Sequence, residues 1–320
     1  MNRNIRTDLA METREVLSKD IGGAQIPGVE VTEENKEGVS ISRVKITNMR
    51  GEVQMKKPIG NYITVEAPNL INRDPDLEEA TAKIIAAELR TLIGEREQDE
   101  CILVVGLGNW NITPDSLGPR TVKNTLVTRH LLQSMPGQID DRVHSVAAIS
   151  PGVLGLTGLE SLEVVAGIVD KLKPKCIIAL DALASRSTEK ISTTYQLADT
   201  GINPGAGVGN MRKALNKESL GVPVIAIGVP LVVFASTIAH DAISSAAEDA
   251  KKDSLPDNDI DDNKINSLIE KVVSGKFGDL IVTPKDIDVV VDDVSRVLGY
   301  ALNLALHDNL SMDEVKSYMH

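Results

Sequence analysis

The chain has 320 residues, a formal net charge of −12 and only 2% aromatic residues. An acidic, aromatic-poor surface lacks the basic patches and stacking faces that nucleic-acid binding needs, and no apolar run reaches the roughly 18–20 residues that cross a bilayer. Cys101 and Cys176 each stand alone at the head of an apolar run, so they form neither a metal nor a redox motif and read as core thiols.

Residues 1–20, MNRNIRTDLAMETREVLSKD, are polar and read as a loose, helical or frayed arm. They lack the apolar core of a signal peptide, so a cytoplasmic location is expected. Over residues 22–70 the runs VSISRVKI and NYITVEA alternate between Gly and Pro, which predicts a β-rich addition with an edge hairpin. LEEATAKIIAAELRTLIGERE (77–97) has helical spacing, with Asp76 placed to cap it.

From Cys101 onward the pattern changes. CILVVG, HSVAAIS, CIIALD and VPVIAIGVP (222–230) are short apolar, strand-like runs. Between and after them PRTVKNTLVTRHLLQSM, LESLEVVAGIVDKL and STIAHDAISSAAEDA read as helices, with Pro119 in a first turn. Such alternation predicts an α/β fold with a mostly parallel sheet covered on both faces by helices. DAKKDSLPDNDIDDNK (249–264) reads as an exposed acidic loop. NSLIEKVVS and DIDVVVDDVSRVLGYALNLALH follow as helices.

The first strand runs into Gly106-Leu107-Gly108-Asn109 and, after a short loop, Asp115. A dinucleotide fingerprint would need a third Gly at Asn111 and a helix directly after it, and neither is present. The second Gly-rich run, NPGAGVGNMRKALN (203–216), also lacks that spacing, and no Gly-Lys-Ser/Thr phosphate loop occurs. What remains is a tight turn or a wall of a substrate cleft. In parallel α/β sheets ligands bind outside the carboxyl ends of the strands. Asp115 and Asp181 both fall there, one after the first strand and one ending the third. Two carboxyls facing one crevice share a proton, so one activates water while the other donates to a carbonyl. A strand-end Asp that only caps a helix is the plainer alternative.

His130 and His240 sit inside helical patterns and His144 opens a strand, none at metal-ligand spacing. Ser185 and Ser187 have no G-x-S-x-G elbow.

The strings VVGLGNWNITPDSLGPR (104–120), SPGVLGLTGLESLEVVAG (150–167), ALDALASRS (179–187) and DTGINPGAGVGNMR (199–212) resemble the germination proteases of spore-forming bacteria. These are endopeptidases that degrade small acid-soluble spore proteins. The resemblance implies a fold similar to the hydrogenase-maturation peptidases, whose G-x-G-N…D-x-x-G pattern falls here on Gly106, Gly108, Asn109, Asp115 and Gly118. It implies an aspartic-type mechanism carried by Asp115 and Asp181, with no cofactor and no metal. Asn109, Arg120, Arg186, Gly205 and Gly207 are candidates for the substrate cleft, the two arginines as partners for an acidic side chain.

The resemblance also implies an inactive precursor that trims its own N-terminus, cutting after an acid and before an apolar residue and Ala. Thr7-Asp8-Leu9-Ala10 fits that pattern. A propeptide over residues 1–8, a cut between Asp8 and Leu9, and a single α/β peptidase domain over 9–320 are therefore expected. A helix cap before an amphipathic arm is the other reading of this stretch. The resemblance further implies small acid-soluble spore proteins as substrates, the spore core as location, and a homotetramer. Direct DNA binding and membrane attachment are not expected. A metal-dependent maturation-type peptidase, and a small-ligand module using the 203–212 loop, are the alternatives.

Overall fold

The computed structural model describes residues 9–11, 13, 26–205, 212–238, 242, 245, 246 and 280–319. The acidic 249–264 stretch, the helix expected at NSLIEKVVS, and all but residues 236–238, 242, 245 and 246 of STIAHDAISSAAEDA lie outside them.

An antiparallel meander comes first: β1 (Val29–Lys36), β2 (Val39–Ile46) and β3 (Gly60–Glu66). The parallel set follows as β4 (Ile102–Gly106), β5 (Val146–Ile149), β6 (Cys176–Ser185) and β8 (Val224–Phe234). β7 (Thr194–Ala198) runs antiparallel to β8 and to β3, joining the two halves, and β9 (Ile281–Val282) pairs with the end of β8. The sheet order is β1-β2-β3-β7-β8-β6-β4-β5. The α/β class and the β-rich addition are as the sequence reads. The addition continues the same sheet through β7, so five of the eight described strand pairings are antiparallel while β4, β5, β6 and β8 form the parallel part. The stretch ISTTYQLAD supplies β7, the fully buried antiparallel link.

Helices cover both faces. On one lie α2 (Pro75–Ile93), α3 (Leu117–Lys123), α6 (Ile287–Leu306) and α7 (Met312–Tyr318); on the other lies α5 (Ser161–Leu172). α1 (Met49–Met55) follows β2, and α4 (Arg129–Ser134) follows α3. Alternate strand residues feed the two layers. Ile102, Val104, Ile178 and Leu180 join the α2/α6 layer, whereas Leu103, Val105, Ile177 and Ala179 join the α5 layer. Strands buried on both faces read as continuous apolar runs, which is why CILVVG and CIIAL carry no alternation. Each such Val, Leu or Ile side chain contributes about 1.5–3 kcal/mol of burial.

Two local expectations change. The cap of α2 is Asp74, whose Oδ1 accepts from the Asp76 N–H at 3.0 Å, with Pro75 in the first turn. The helix expected over 119–135 is broken between α3 and α4. Asn303 of α6, only 1% exposed, accepts from the Leu126 N–H at 2.8 Å and donates to the Asn124 carbonyl at 3.0 Å. A tertiary partner takes the main-chain groups that a continuous helix would have paired internally.

A histidine the sequence reading passed over lies deep in this packing. His307 is wholly buried, and burial, with Arg96 adding to it, lowers its pKa to about 4. Its Nδ1 accepts from the His144 N–H at 3.2 Å, and His144 Nε2 meets Asp308 Oδ2 at 2.8 Å. A histidine whose folded pKa is depressed binds its proton more readily when unfolded, so its contribution is present above the unfolded pKa and fades as pH falls. Between about pH 7 and about pH 4.5 the wild type should lose about 2–3 kcal/mol through this group. Urea unfolding at both pH values should show that loss shrinking in His307→Gln. Equal pH sensitivity in the two proteins would contradict it.

Candidate active site

Asp115 is placed by the turn that follows β4. The Leu107 N–H donates to the Leu180 carbonyl at 2.8 Å, which keeps the chain beside β6 after β4 ends. Gly108 then turns the chain at φ +109°, and a Cβ there would sit 2.0 Å from the Asp115 carbonyl oxygen. The Asn109 N–H donates to both the Asp115 carbonyl and its Oδ2, each at 2.9 Å. The Asn109 side chain accepts from the Asn111 N–H at 3.0 Å and so closes the turn. Two further glycines let this loop lie on the start of α3. A Cβ on Gly106 would come 2.3 Å from the Gly118 carbonyl, and one on Gly118 would come 2.2 Å from the Leu107 carbonyl. The Gly106, Gly108, Gly118 spacing is therefore a close-packing device that aims one carboxylate. Burial pushes the Asp115 carboxyl up from its usual range, and the Asn109 N–H opposes the rise. The rise comes from burial rather than from a neighbouring carboxylate.

Asp181 lies inside β6, only 6% exposed, and its Oδ1 accepts from the Ala182 N–H at 2.9 Å. The register pairs Asp181 with Gly228 of β8, and Gly228 with Gln196 of β7. Gly228 lies under Leu183, whose Cδ1 would be 2.4 Å from a Cβ placed there. A cleft of about 910 Å³ opens on this row, and both Asp115 and Asp181 line it.

Asn109 and Gly205 also line the cleft. Arg120 does not: its guanidinium is tied to Asp292 on α6 and to Ser116 Oγ, so it braces α3 against α6. Arg186 follows the end of β6 and is likewise not among the lining residues. Gly207 and Asp8 lie outside the described residues. Leu9, expected in a loose arm, is wholly buried. The sequence reading missed Lys56, Gln196 and Arg212, all of which line the cleft. Arg212 ends the quoted Gly-rich string and could have been picked out as its one cation. Gln196 carries no local signal, because its place depends on β7 pairing with β8.

A helix-covered sheet, with two carboxyl groups in a cleft by the ends of its parallel strands, is the architecture of an α/β enzyme. The sequence profile of the germination proteases matches residues 6–259 and 255–319. A germination protease of Caldanaerobacter subterraneus subsp. tengcongensis is 48% identical, covering 99% of this chain and 98% of that protein. Those of Clostridium tetani (42% identical; 99% and 99% covered) and Bacillus pumilus (39%; 99% and 97%) are similar over the same span. The chain belongs to the germination protease family and is a protease. Among solved structures, the [NiFe] hydrogenase maturation protease HycI from Thermococcus kodakarensis KOD1 aligns with TM-score 0.28 and 18% identity, over 45% of this chain and 80% of that one.

Proposed function

We propose that the chain is a self-processing endopeptidase that degrades small acid-soluble spore proteins during germination, using Asp115 and Asp181. The observation that supports this is that Asp115 and Asp181 both line one cleft, with burial raising the Asp115 carboxyl. In this reading Asp115 is the protonated partner and Asp181 the carboxylate. Asp181 takes a proton from water as the water oxygen bonds to the scissile carbonyl carbon, and Asp115 gives its proton to the carbonyl oxygen. On collapse the C–N bond breaks, Asp181 passes its proton to the leaving amine, and Asp115 recovers one from the hydroxyl. An acidic side chain before the cut meets Arg212 and Lys56, two of the three cations among the described cleft-lining residues (Lys57 is the third), in place of the arginines expected from sequence. The assembly in this reading is a homotetramer of the spore core, with residues 1–8 as propeptide; light scattering of the purified chain reads the subunit number directly.

Self-processing is the test. Incubated at mildly acidic pH, where the raised Asp115 carboxyl holds its proton, the full chain is expected to lose eight residues and begin at Leu9. N-terminal sequencing that finds another start, or a chain that stays intact, would sink the proposed bond.

A further inference from the structure

Leu9 and Ala10 are wholly buried, and Ala10 and Met11 pack with Met55, Tyr62 and Ala198 beside the cleft. The Thr13 N–H donates to the Leu9 carbonyl at 3.2 Å and closes a helical turn. The first amides of such a turn have no partner within it. That of Ala10 donates to Gln196 Oε1 at 2.5 Å.

Gln196 stands in one cross-strand row with Gly228 and Asp181. Residues opposite one another on paired strands project from the same face. Gly228 has no side chain of its own, the Leu183 side chain lies over it, and two strand spacings set the Cα atoms of Gln196 and Asp181 about 10 Å apart. Thr64 continues the row on β3, and its buried hydroxyl has no hydrogen-bond partner among the described residues. A row that carries Asp181, Gln196 and Thr64 thus crosses the sheet from the carboxylate to the seat of the N-terminal segment.

We infer that Gln196 is a substrate-anchoring residue, its side-chain carbonyl receiving the main-chain N–H of the second residue after the scissile bond, in the chain's own N-terminal segment and in protein substrates alike. The inference rests on the reading that the cut falls between Asp8 and Leu9. Ala10 is then that second residue, and its contact holds the scissile peptide about one residue's length, roughly 3.8 Å along the chain, from a fixed acceptor on the face that carries Asp181. The complete enclosure of Ala10 suits a small residue at this position.

The test uses the wild-type enzyme and two peptides with an acid–Leu–Ala cut site. In the second peptide lactic acid replaces the Ala, which removes one N–H and leaves the scissile amide unchanged. Loss of one such hydrogen bond should lower kcat/KM about five- to tenfold on the lactyl peptide. Gln196→Met should cut both peptides at one rate, and Gln196→Glu, which keeps an acceptor, should still discriminate between them. Equal rates for the wild type on the two peptides, or discrimination retained by Gln196→Met, overturns the anchoring role and leaves the protease reading standing. Failure of the wild type to cut after the acid in either peptide sinks the functional reading and the anchor with it.

Discussion

Gly108→Ala is expected to abolish peptide cleavage while leaving the sheet largely intact. The residue turns the chain at φ +109°, where an L side chain is strained, and its Cβ would lie 2.0 Å from the Asp115 carbonyl oxygen. The atom in the way is main chain, so no rotamer change relieves the contact. The loop must open, and opening it removes the two hydrogen bonds by which the Asn109 N–H holds Asp115. Strain of this kind costs on the order of 1–3 kcal/mol before the clash is counted, and a displacement of about 1 Å in a catalytic group is worth roughly 10²-fold in rate. Gly167→Ala is the matched control, since a Cβ there meets nothing within 4 Å and the residue does not line the cleft. Circular dichroism and urea unfolding should place Gly108→Ala at least about 3 kcal/mol below the wild type. Wild-type cleavage by Gly108→Ala would show that the turn does not position Asp115.

Asp115→Asn and Asp181→Asn should each lower kcat/KM by roughly 10³-fold or more, the upper part of what one positioned acid or base contributes. The two losses have different causes. Asn at 115 keeps the shape and the Asn109 contact but has no proton to give to a carbonyl oxygen. Asn at 181 keeps the Ala182 contact but cannot take a proton from water. Because the groups act in one step, the double variant should be scarcely worse than either single one. Losses that multiplied would mean two groups acting independently.

The parallel strands and the long helices were legible in the sequence because their signals are local. CILVVG, CIIALD and the α6 segment carry their period within a dozen residues. The place of Asp115 could be read from the end of β4, whereas Asp181, expected to end its strand, lies inside β6, which runs on to Ser185 because its far half pairs with β8. The features that escaped depend on partners far along the chain. The link through β7 requires pairing with β3 and β8, and neither choice leaves a mark in TYQLA. The break between α3 and α4 is made by Asn303, distant in sequence. Arg120 and Arg186 were drawn to the site by nearness in sequence to the two acids, but Arg120 projects toward Asp292 instead. Gln196 and Lys56 reach the cleft only through sheet topology, and one chain alone does not encode that legibly. The three close-packed glycines were visible as a pattern, yet their purpose emerged only from the contacts a Cβ would make.

The most direct test of the central claim is kcat/KM on an acid–Leu–Ala peptide for the wild type, Asp115→Asn and Asp181→Asn, all supplied with Leu9 as first residue and assayed with and without a chelator. Three folded proteins, a wild type unaffected by the chelator and two inactive variants are the expected result. Substantial activity in either variant, or chelator-sensitive cleavage by the wild type, would contradict a mechanism carried by these two carboxyl groups.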